Sequence, residues 1–128
     1  MSEEIGEIDI YKEYEQGLKD IELYSHIYVF YYFDRRIRES QKPGHHLKSY
    51  GLTVNPYMDD KIHGTFATRS PNRPNPLGMS ILELISRNKN ILKVKNVDMF
   101  GKTLVLDIKP YVTIFDVKKD VKDGWHGK

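Results

Sequence analysis

The sequence predicts a mainly-β fold, a single-domain antiparallel β-barrel-like structure with short helical turns and long loops. Two observations support this prediction. Several apolar segments of strand length are separated by short turn sequences, and no segment has the apolar period of a long amphipathic helix. With 128 residues, of which 39% are hydrophobic, the chain is long enough to bury one core.

The first two strands are predicted at residues 5–11 and 26–33. In the first segment Ile8 and Ile10 alternate with acidic residues, which indicates a strand buried on one face. The second segment is β-branched and aromatic without alternation, which predicts burial on both faces. Residues 12–21 between them are polar and contain Gly17, so we expect at most a short helical turn leading into a bend.

The middle of the chain predicts irregular structure. Residues 34–56 form a long, polar, basic connection, and connections of this length are usually functional or mobile. Residues 47–54 within it are a candidate short strand. Residues 64–67 are predicted to be a strand that enters the next loop.

The second half of the chain predicts more strands. Residues 79–86 and 91–97 are expected to form a hairpin through residues 87–90, followed by a turn at 100–102 and a strand at 103–108. Strict alternation would place Leu104, Leu106 and Ile108 on one face and Val105, Asp107 and Lys109 on the other. Residues 114–128 are charged apart from Trp125, which predicts a tail that docks by that one ring.

The segment 63–80 is the strongest candidate for a site. Pro71, Pro74 and Pro76 each fix φ and remove a backbone donor, and they disfavour helical geometry in the residue before them. The segment is therefore predicted to be a stiff, extended loop that carries polar side chains. Such a loop loses little conformational entropy on binding, although prolines and asparagines also occur in ordinary surface turns.

Composition excludes several classes of protein. The chain has no cysteine, so disulfides and thiolate chemistry are absent. Its acidic N-terminus lacks the apolar core of a signal peptide, and its longest apolar run is far below the ~20 residues that span a bilayer, so we expect a soluble, cytoplasmic protein. The five histidines lack metal-ligand spacing, and no phosphate-binding glycine loop or nucleophile elbow is present. We therefore expect no metal and no membrane partner.

The charge distribution is more informative than the net charge of +2. Residues 61–82 contain no acidic side chain, and residues 35–48 carry five basic side chains against one glutamate. Two basic stretches would suit an anionic polymer such as RNA, although solvated loops with acids folded nearby are an open alternative.

The segment Gly64-Thr-Phe-Ala-Thr-Arg-Ser-Pro-Asn-Arg-Pro-Asn-Pro-Leu-Gly-Met-Ser80 closely resembles the signature of the TrmO family, the TsaA-like tRNA methyltransferases. The flanking sequences Gly17-Leu-Lys-Asp-Ile-Glu22, Ser25-His-Ile27 and Leu106-Asp-Ile-Lys-Pro-Tyr111 agree, as does the pair Gly124-Trp125. The resemblance covers nearly the whole chain. It implies a β-barrel enzyme, a homodimer, that uses S-adenosyl-L-methionine to methylate N6 of threonylcarbamoyladenosine next to the anticodon of certain tRNAs.

The same resemblance implies the site residues. The methyl donor would bind against the proline-rich loop and the neighbouring strand, at Phe66, Ala67, Thr68, Arg69, Ser70, Arg73, Asn75, Lys109 and Tyr111. The residues assigned to catalysis are Arg69, Asp107 and His26. From its own sequence pattern His26 fits a hydrogen-bonded core histidine better than a base. Asp107 either anchors Arg69, reaches a ligand, or forms a surface pair with Lys109 worth less than about 1 kcal/mol.

Members of this family usually begin with a further strand and a segment containing Pro-Arg-Gln. This chain, expected to be one TsaA-like domain over residues 1–128, opens at what resembles the next strand. The alternative to an enzyme is therefore a non-catalytic RNA-binding barrel that has lost donor binding. A barrel that binds only a small ligand is a third, weaker hypothesis.

Overall fold

The structure, a computed structural model, describes residues 4–32, 52–56, 59–95 and 103–127. The chain divides into two compact units, one of Met1–Tyr31 with Met79–Asp116 and one of Tyr32–Gly78 with Val117–Lys128. The single domain stays a prediction. None of the helices among the described residues is long and apolar enough to cross a membrane.

The structure is mainly β, as predicted. Its strands are β1 (Ile5–Asp9), β2 (His26–Tyr32), β3 (Thr53–Val54), β4 (His63–Gly64), β5 (Leu77–Asn88), β6 (Ile91–Lys95) and β7 (Val105–Pro110). Short 3-10 helices cover Lys12–Leu18, Ile21–Leu23, Thr65–Ala67 and Gly124–Gly127, and one α-helical turn, α1, covers Thr113–Asp116. A five-stranded sheet has the order β1-β6-β5-β2-β7, and β3 pairs with β4 in a separate two-stranded sheet.

The predicted hairpin is present, with a longer first strand and a tighter turn than expected. β5 and β6 pair antiparallel from Glu83 opposite Lys95 to Asn88 opposite Ile91, so only two residues connect them. Asn90 in this turn also fixes the end of β1. Its side-chain amide donates to the Ile10 carbonyl at 2.7 Å, and its own carbonyl accepts from the Ile10 N–H at 2.8 Å.

The core of the first unit is built from alternate residues of its strands. Leu92 and Val94 of β6 and Ile27 and Val29 of β2 are all fully buried. In β2 the alternation is regular, because His26, Tyr28, Phe30 and Tyr32 are only half-buried. The prediction of burial on both faces was therefore wrong. Aromatic side chains made the outer face of β2 as apolar in sequence as the inner one.

The prediction of strict alternation along β7 was also wrong. β7 pairs with β2 so that Asp107 faces Phe30 and Ile108 faces Val29, but the next partner of β2, Tyr31, faces Val105. One extra residue, Leu106, is thus bulged out of the ladder. Because a bulge shifts the pleat by one residue, Val105 takes the face predicted for Leu106, and Leu106 is 44% exposed.

A closed barrel is not confirmed. β1 and β7 are the two edges of the sheet order. A cleft of about 1010 Å³ is lined by both of these strands together with Leu18 and Tyr14 of the first 3-10 helix.

The predicted helical turn at 12–21 is confirmed, because Lys12–Leu18 is a 3-10 helix and Leu18 is buried. Predictions for residues 33–51, the turn at 100–102 and the end of the hairpin at 96–97 lie outside the described residues.

Two adjacent residues of β5 offer a test of this core. Leu82 is 1% exposed and Ile81 is 46% exposed. We expect Leu82→Ala to lower the free energy of unfolding by about 2–5 kcal/mol, since it removes buried methyl groups and leaves a cavity. The control Ile81→Ala should lose far less in the same urea denaturation series. Equal losses from both variants would contradict the assigned faces of β5.

Candidate functional site: a loop held by its own side chains

The candidate site begins with a short turn where a strand was expected. β4 ends at Gly64, and Thr65–Ala67 form a 3-10 turn. The Thr65 carbonyl accepts from both the N–H of Thr68 at 3.1 Å and the hydroxyl of Thr68 at 2.9 Å. The prediction of a strand through residue 67 was wrong, because threonine hydroxyls bond neighbouring backbone groups and so favour a turn over a ladder.

We call residues 65–76 the motif loop, and it is held by bonds within itself. The Thr65 hydroxyl donates to the carbonyl of Asn72 at 2.8 Å across the loop. One guanidinium nitrogen of Arg73, Nη1, donates to the carbonyls of Thr68 at 3.0 Å and Ser70 at 2.9 Å. Thr65 and Thr68 are 1% and 8% exposed, so their polar groups need these partners.

Further bonds continue this network along the chain. The Ser70 N–H donates to the Thr68 hydroxyl at 3.3 Å, and the Asn72 N–H donates to the Ser70 hydroxyl at 3.0 Å. No peptide bond in the described residues is cis. From Thr68 to Pro76 the backbone is neither helix nor strand, as the prolines predicted. Thr68, Ser70 and Arg73, expected to contact the donor, use their polar groups to build the loop.

Other predicted residues of the loop point outward. Arg69 and Asn75 are exposed, and within the part of the chain that the structure describes the Arg69 side chain makes no hydrogen bond or ion pair. Phe66 is 80% exposed on the 3-10 turn. The carbonyl of Ala67, rather than its side chain, binds a partner, the indole of Trp125. The loop therefore offers one free cation and one exposed ring.

The tail docks by its only tryptophan, as predicted. Trp125 lies in the 3-10 turn Gly124–Gly127, and its indole N–H donates to the carbonyl of Ala67 at 2.8 Å. Its ring is stacked with two imidazoles, His63 at 5.1 Å and His126 at 3.7 Å between centroids. The tail thus contacts the first turn of the motif loop.

Sequence reasoning missed one pair in the second unit. Asp59 Oδ2 and His63 Nε2 are 2.6 Å apart, and their side chains are 4% and 20% exposed. Because a carboxylate only accepts, the Nε2 nitrogen carries the proton of this bond. From sequence, His63 is a candidate only for metal binding. A spacing of four residues outside a helix gives no signal that two side chains meet.

The remaining predicted residues come together in the first unit. His26 and Tyr111 lie at the start of β2 and just after β7, with ring centroids 6.4 Å apart, and Tyr28 lies 5.7 Å from Tyr111. Lys109 faces Tyr28 across the ladder. The Lys109 ammonium lies 3.8 Å from Asp107, and both side chains are more than half exposed. The surface pair considered for Asp107 is therefore present.

Two of these groups have further partners. The Asp107 carboxylate accepts from the Ile108 N–H at 2.8 Å. His26 Nδ1 lies 2.8 Å from the Ser25 hydroxyl, so the imidazole is held at a half-buried position. Sequence reasoning did not assign Tyr28 and Phe30 to the site, although their rings are stacked 6.2 Å apart beside these residues. Among residues 4–32, 52–56, 59–95 and 103–127 no group of three acidic or histidine side chains could hold a metal ion.

Comparison with solved structures identifies the class of fold. The crystal structure of TrmO from Pseudomonas aeruginosa superposes with a TM-score of 0.69 at 26% identity, covering 94% of this chain and 48% of that one. The family model for the tRNA-methyltransferase O N-terminal domain matches residues 1–117. The chain belongs to this family, and the resemblance inferred from the motif loop and its flanks is confirmed.

Relatives in the family carry two kinds of name. A probable S-adenosyl-L-methionine-binding protein of Pyrococcus abyssi is 46% identical over 120 residues, which are 94% of this chain and 59% of the relative. The tRNA (adenine(37)-N6)-methyltransferase of Escherichia coli is 34% identical, with 94% of this chain and 51% of the relative covered. The chain therefore spans about half the length of these curated relatives.

The two arginines of the motif loop form a matched pair for testing its internal network. Arg73→Met should lower the free energy of unfolding by about 1–3 kcal/mol, because two backbone carbonyls lose a charged donor. Arg69→Met removes the same charge from the same loop without breaking a bond, and should change stability by no more than about 0.5 kcal/mol. Chemical denaturation of both variants measures the difference. A larger loss for Arg69→Met would show that the network is assigned to the wrong residue.

Proposed function

We propose that this chain is the methyl-donor-binding and catalytic domain of a tRNA methyltransferase that uses S-adenosyl-L-methionine. The proposed target is N6 of adenosine 37, in its threonylcarbamoyl form, next to the anticodon. The observation that carries the proposal is the motif loop itself. It lies in the region matched by the family and binds several of its own carbonyls with its side chains, and Arg69 has no partner among the described residues.

The residues present fit the chemistry of the proposed donor. S-adenosyl-L-methionine carries a carboxylate, an adenine ring and a sulfonium cation. The guanidinium of Arg69, exposed and without a partner in the described part of the chain, suits the carboxylate, and the amide of Asn75 is exposed. An aromatic ring suits the adenine or the cation, and the ring of Phe66 on the loop is 80% exposed.

The reaction demands little from the protein beyond positioning. In methyl transfer the N6–C bond forms as the S–C bond of the sulfonium breaks, and N6 loses one proton. Because the donor is already activated, alignment supplies most of the rate enhancement. We assign alignment of the donor to Arg69. His26, held by Ser25, and Asp107 are the candidate acceptors for the proton.

The partners follow from the same proposal. The E. coli relative is named as a tRNA methyltransferase, and residues 61–82 contain no acidic side chain that would repel a phosphate backbone. We propose that the chain binds tRNA as a homodimer in the cytoplasm. Binding to tRNA should weaken with salt, with a slope of about 0.7 per neutralised phosphate on single-stranded segments.

The proposal is tested by transfer of radiolabelled methyl groups to tRNA that carries threonylcarbamoyladenosine. Arg69→Ala should reduce transfer roughly 10- to 100-fold, since it removes a charged hydrogen bond to the donor, while the unfolding temperature stays unchanged. Lys119→Ala, an exposed cation of the same unit outside the basic stretches, is the matched control and should retain activity. Normal turnover by Arg69→Ala would show that the donor is held elsewhere.

Donor binding by the unmodified chain decides between the enzyme and its alternative. At about 100 times its Kd, S-adenosyl-L-methionine should stabilise the folded protein by about 2.7 kcal/mol, which a thermal shift and calorimetry both detect. Binding to tRNA with a salt slope, but with no donor heat and no methyl incorporation, would favour the non-catalytic RNA-binding protein.

A further inference from the structure

The contact of Trp125 with the motif loop is specific in geometry. The indole N–H donates to the Ala67 carbonyl at 2.8 Å. Ala67 is the last residue of the 3-10 turn that opens the loop, and terminal carbonyls of helical turns lack partners within the turn. Gly124, directly before the tryptophan, has φ of +59°, a conformation that glycine adopts readily and other residues adopt at a cost.

Trp125 is itself held in place by a histidine, and that histidine is held by an aspartate. The His63 ring is stacked on it with an interplanar angle of 15°. His63 is fixed in turn by its 2.6 Å bond to Asp59, whose side chain is 4% exposed. A buried carboxylate, an oriented imidazole and the indole therefore form one continuous series of contacts that ends on the backbone of the motif loop.

The turn held by this series carries the exposed residues of the loop. Phe66 precedes Ala67 directly and is 80% exposed, and Arg69 follows two residues later without a partner among the described residues. The internal network acts on Thr65, Thr68 and Ser70. From outside the loop, the Leu52 carbonyl accepts from the Thr65 N–H at 2.9 Å at the start of the turn, and the bond from Trp125 holds the carbonyl of Ala67, between Phe66 and Arg69.

We propose that Trp125, supported by His63 and Asp59, is a positioning residue that orders the first turn of the motif loop for ligand binding. The proposal rests on the proposed function for the identity of the ligand, S-adenosyl-L-methionine. It assigns to residues 117–127 a role in donor affinity that acts through the motif loop. The competing explanation is that Trp125 only adds packing area to the second unit.

The test is Trp125→Phe, which keeps an aromatic ring for stacking and removes the N–H donor. One hydrogen bond of this kind corresponds to about a 2- to 10-fold change in an equilibrium, so amide hydrogens of Thr68 and Ser70 should exchange that much faster. The KM and Kd for S-adenosyl-L-methionine should rise by a similar factor, while kcat at saturating donor is retained because bound donor restores the order. Tyr14→Phe, at an exposed aromatic of the first unit, is the matched control and should change none of these quantities.

His63→Ala provides an independent measurement, because Trp125 is the only tryptophan of the chain and its fluorescence reports on its own docking. Loss of the stacked imidazole should make the indole more accessible to acrylamide and raise the exchange rate of the same loop amides. Unchanged quenching in His63→Ala would overturn the support assigned to His63.

The outcomes separate this inference from the proposed function. A lower unfolding temperature in Trp125→Phe with unchanged loop exchange and unchanged donor Kd would show that the residue only packs, and would overturn the proposal. If the unmodified chain binds no donor, the proposed function fails. Loop exchange in Trp125→Phe then still decides whether Trp125 orders the loop.

Discussion

A segment with three prolines in six residues cannot join a sheet, and its carbonyl groups must find donors elsewhere. In this protein several of the donors are side chains of the segment itself. Thr65 and Arg73 reach across the motif loop to carbonyls of Asn72, Thr68 and Ser70. These bonds hold much of the loop, because no ladder holds the backbone from Thr68 to Pro76, and Trp125 adds a bond to the Ala67 carbonyl.

The two compact units are stabilised by different means. In the first, alternate apolar residues of four strands are buried together, among them Ile27, Val29, Leu82 and Leu92. In the second, the buried residues of the motif loop are Thr65 and Thr68, and the Asp59 side chain is 4% exposed. Burial of polar groups stabilises little by itself, but it restricts the backbone to the one arrangement in which every group has a partner. That property suits a segment whose function is to hold side chains in position.

The division of the arginines follows from this requirement. Nη1 of Arg73 donates to two backbone carbonyls. Arg69 lies on the same stiff segment and makes no such bond to the described residues. A charged group presented by a preordered backbone binds an anionic group with little loss of conformational entropy. A reaction that depends on alignment of an activated methyl donor would use such an arrangement, and the family to which the chain belongs is named for methyl transfer to tRNA.

Much of this protein was determined by local sequence. Pattern and turn chemistry predicted β1, β2, the β5–β6 hairpin, the irregular motif loop and a docked Trp125, because strand periodicity and proline geometry act over a few residues. Tertiary structure alone decided the bulge at Leu106, the half-exposed aromatic face of β2 and the pairing of Asp59 with His63. It also decided that Thr68, Ser70 and Arg73 build the loop while Arg69 stays exposed, with no partner among the described residues. Each of these outcomes depends on which groups meet in space. Residue type alone does not decide this, because a given side chain can contact several different partners.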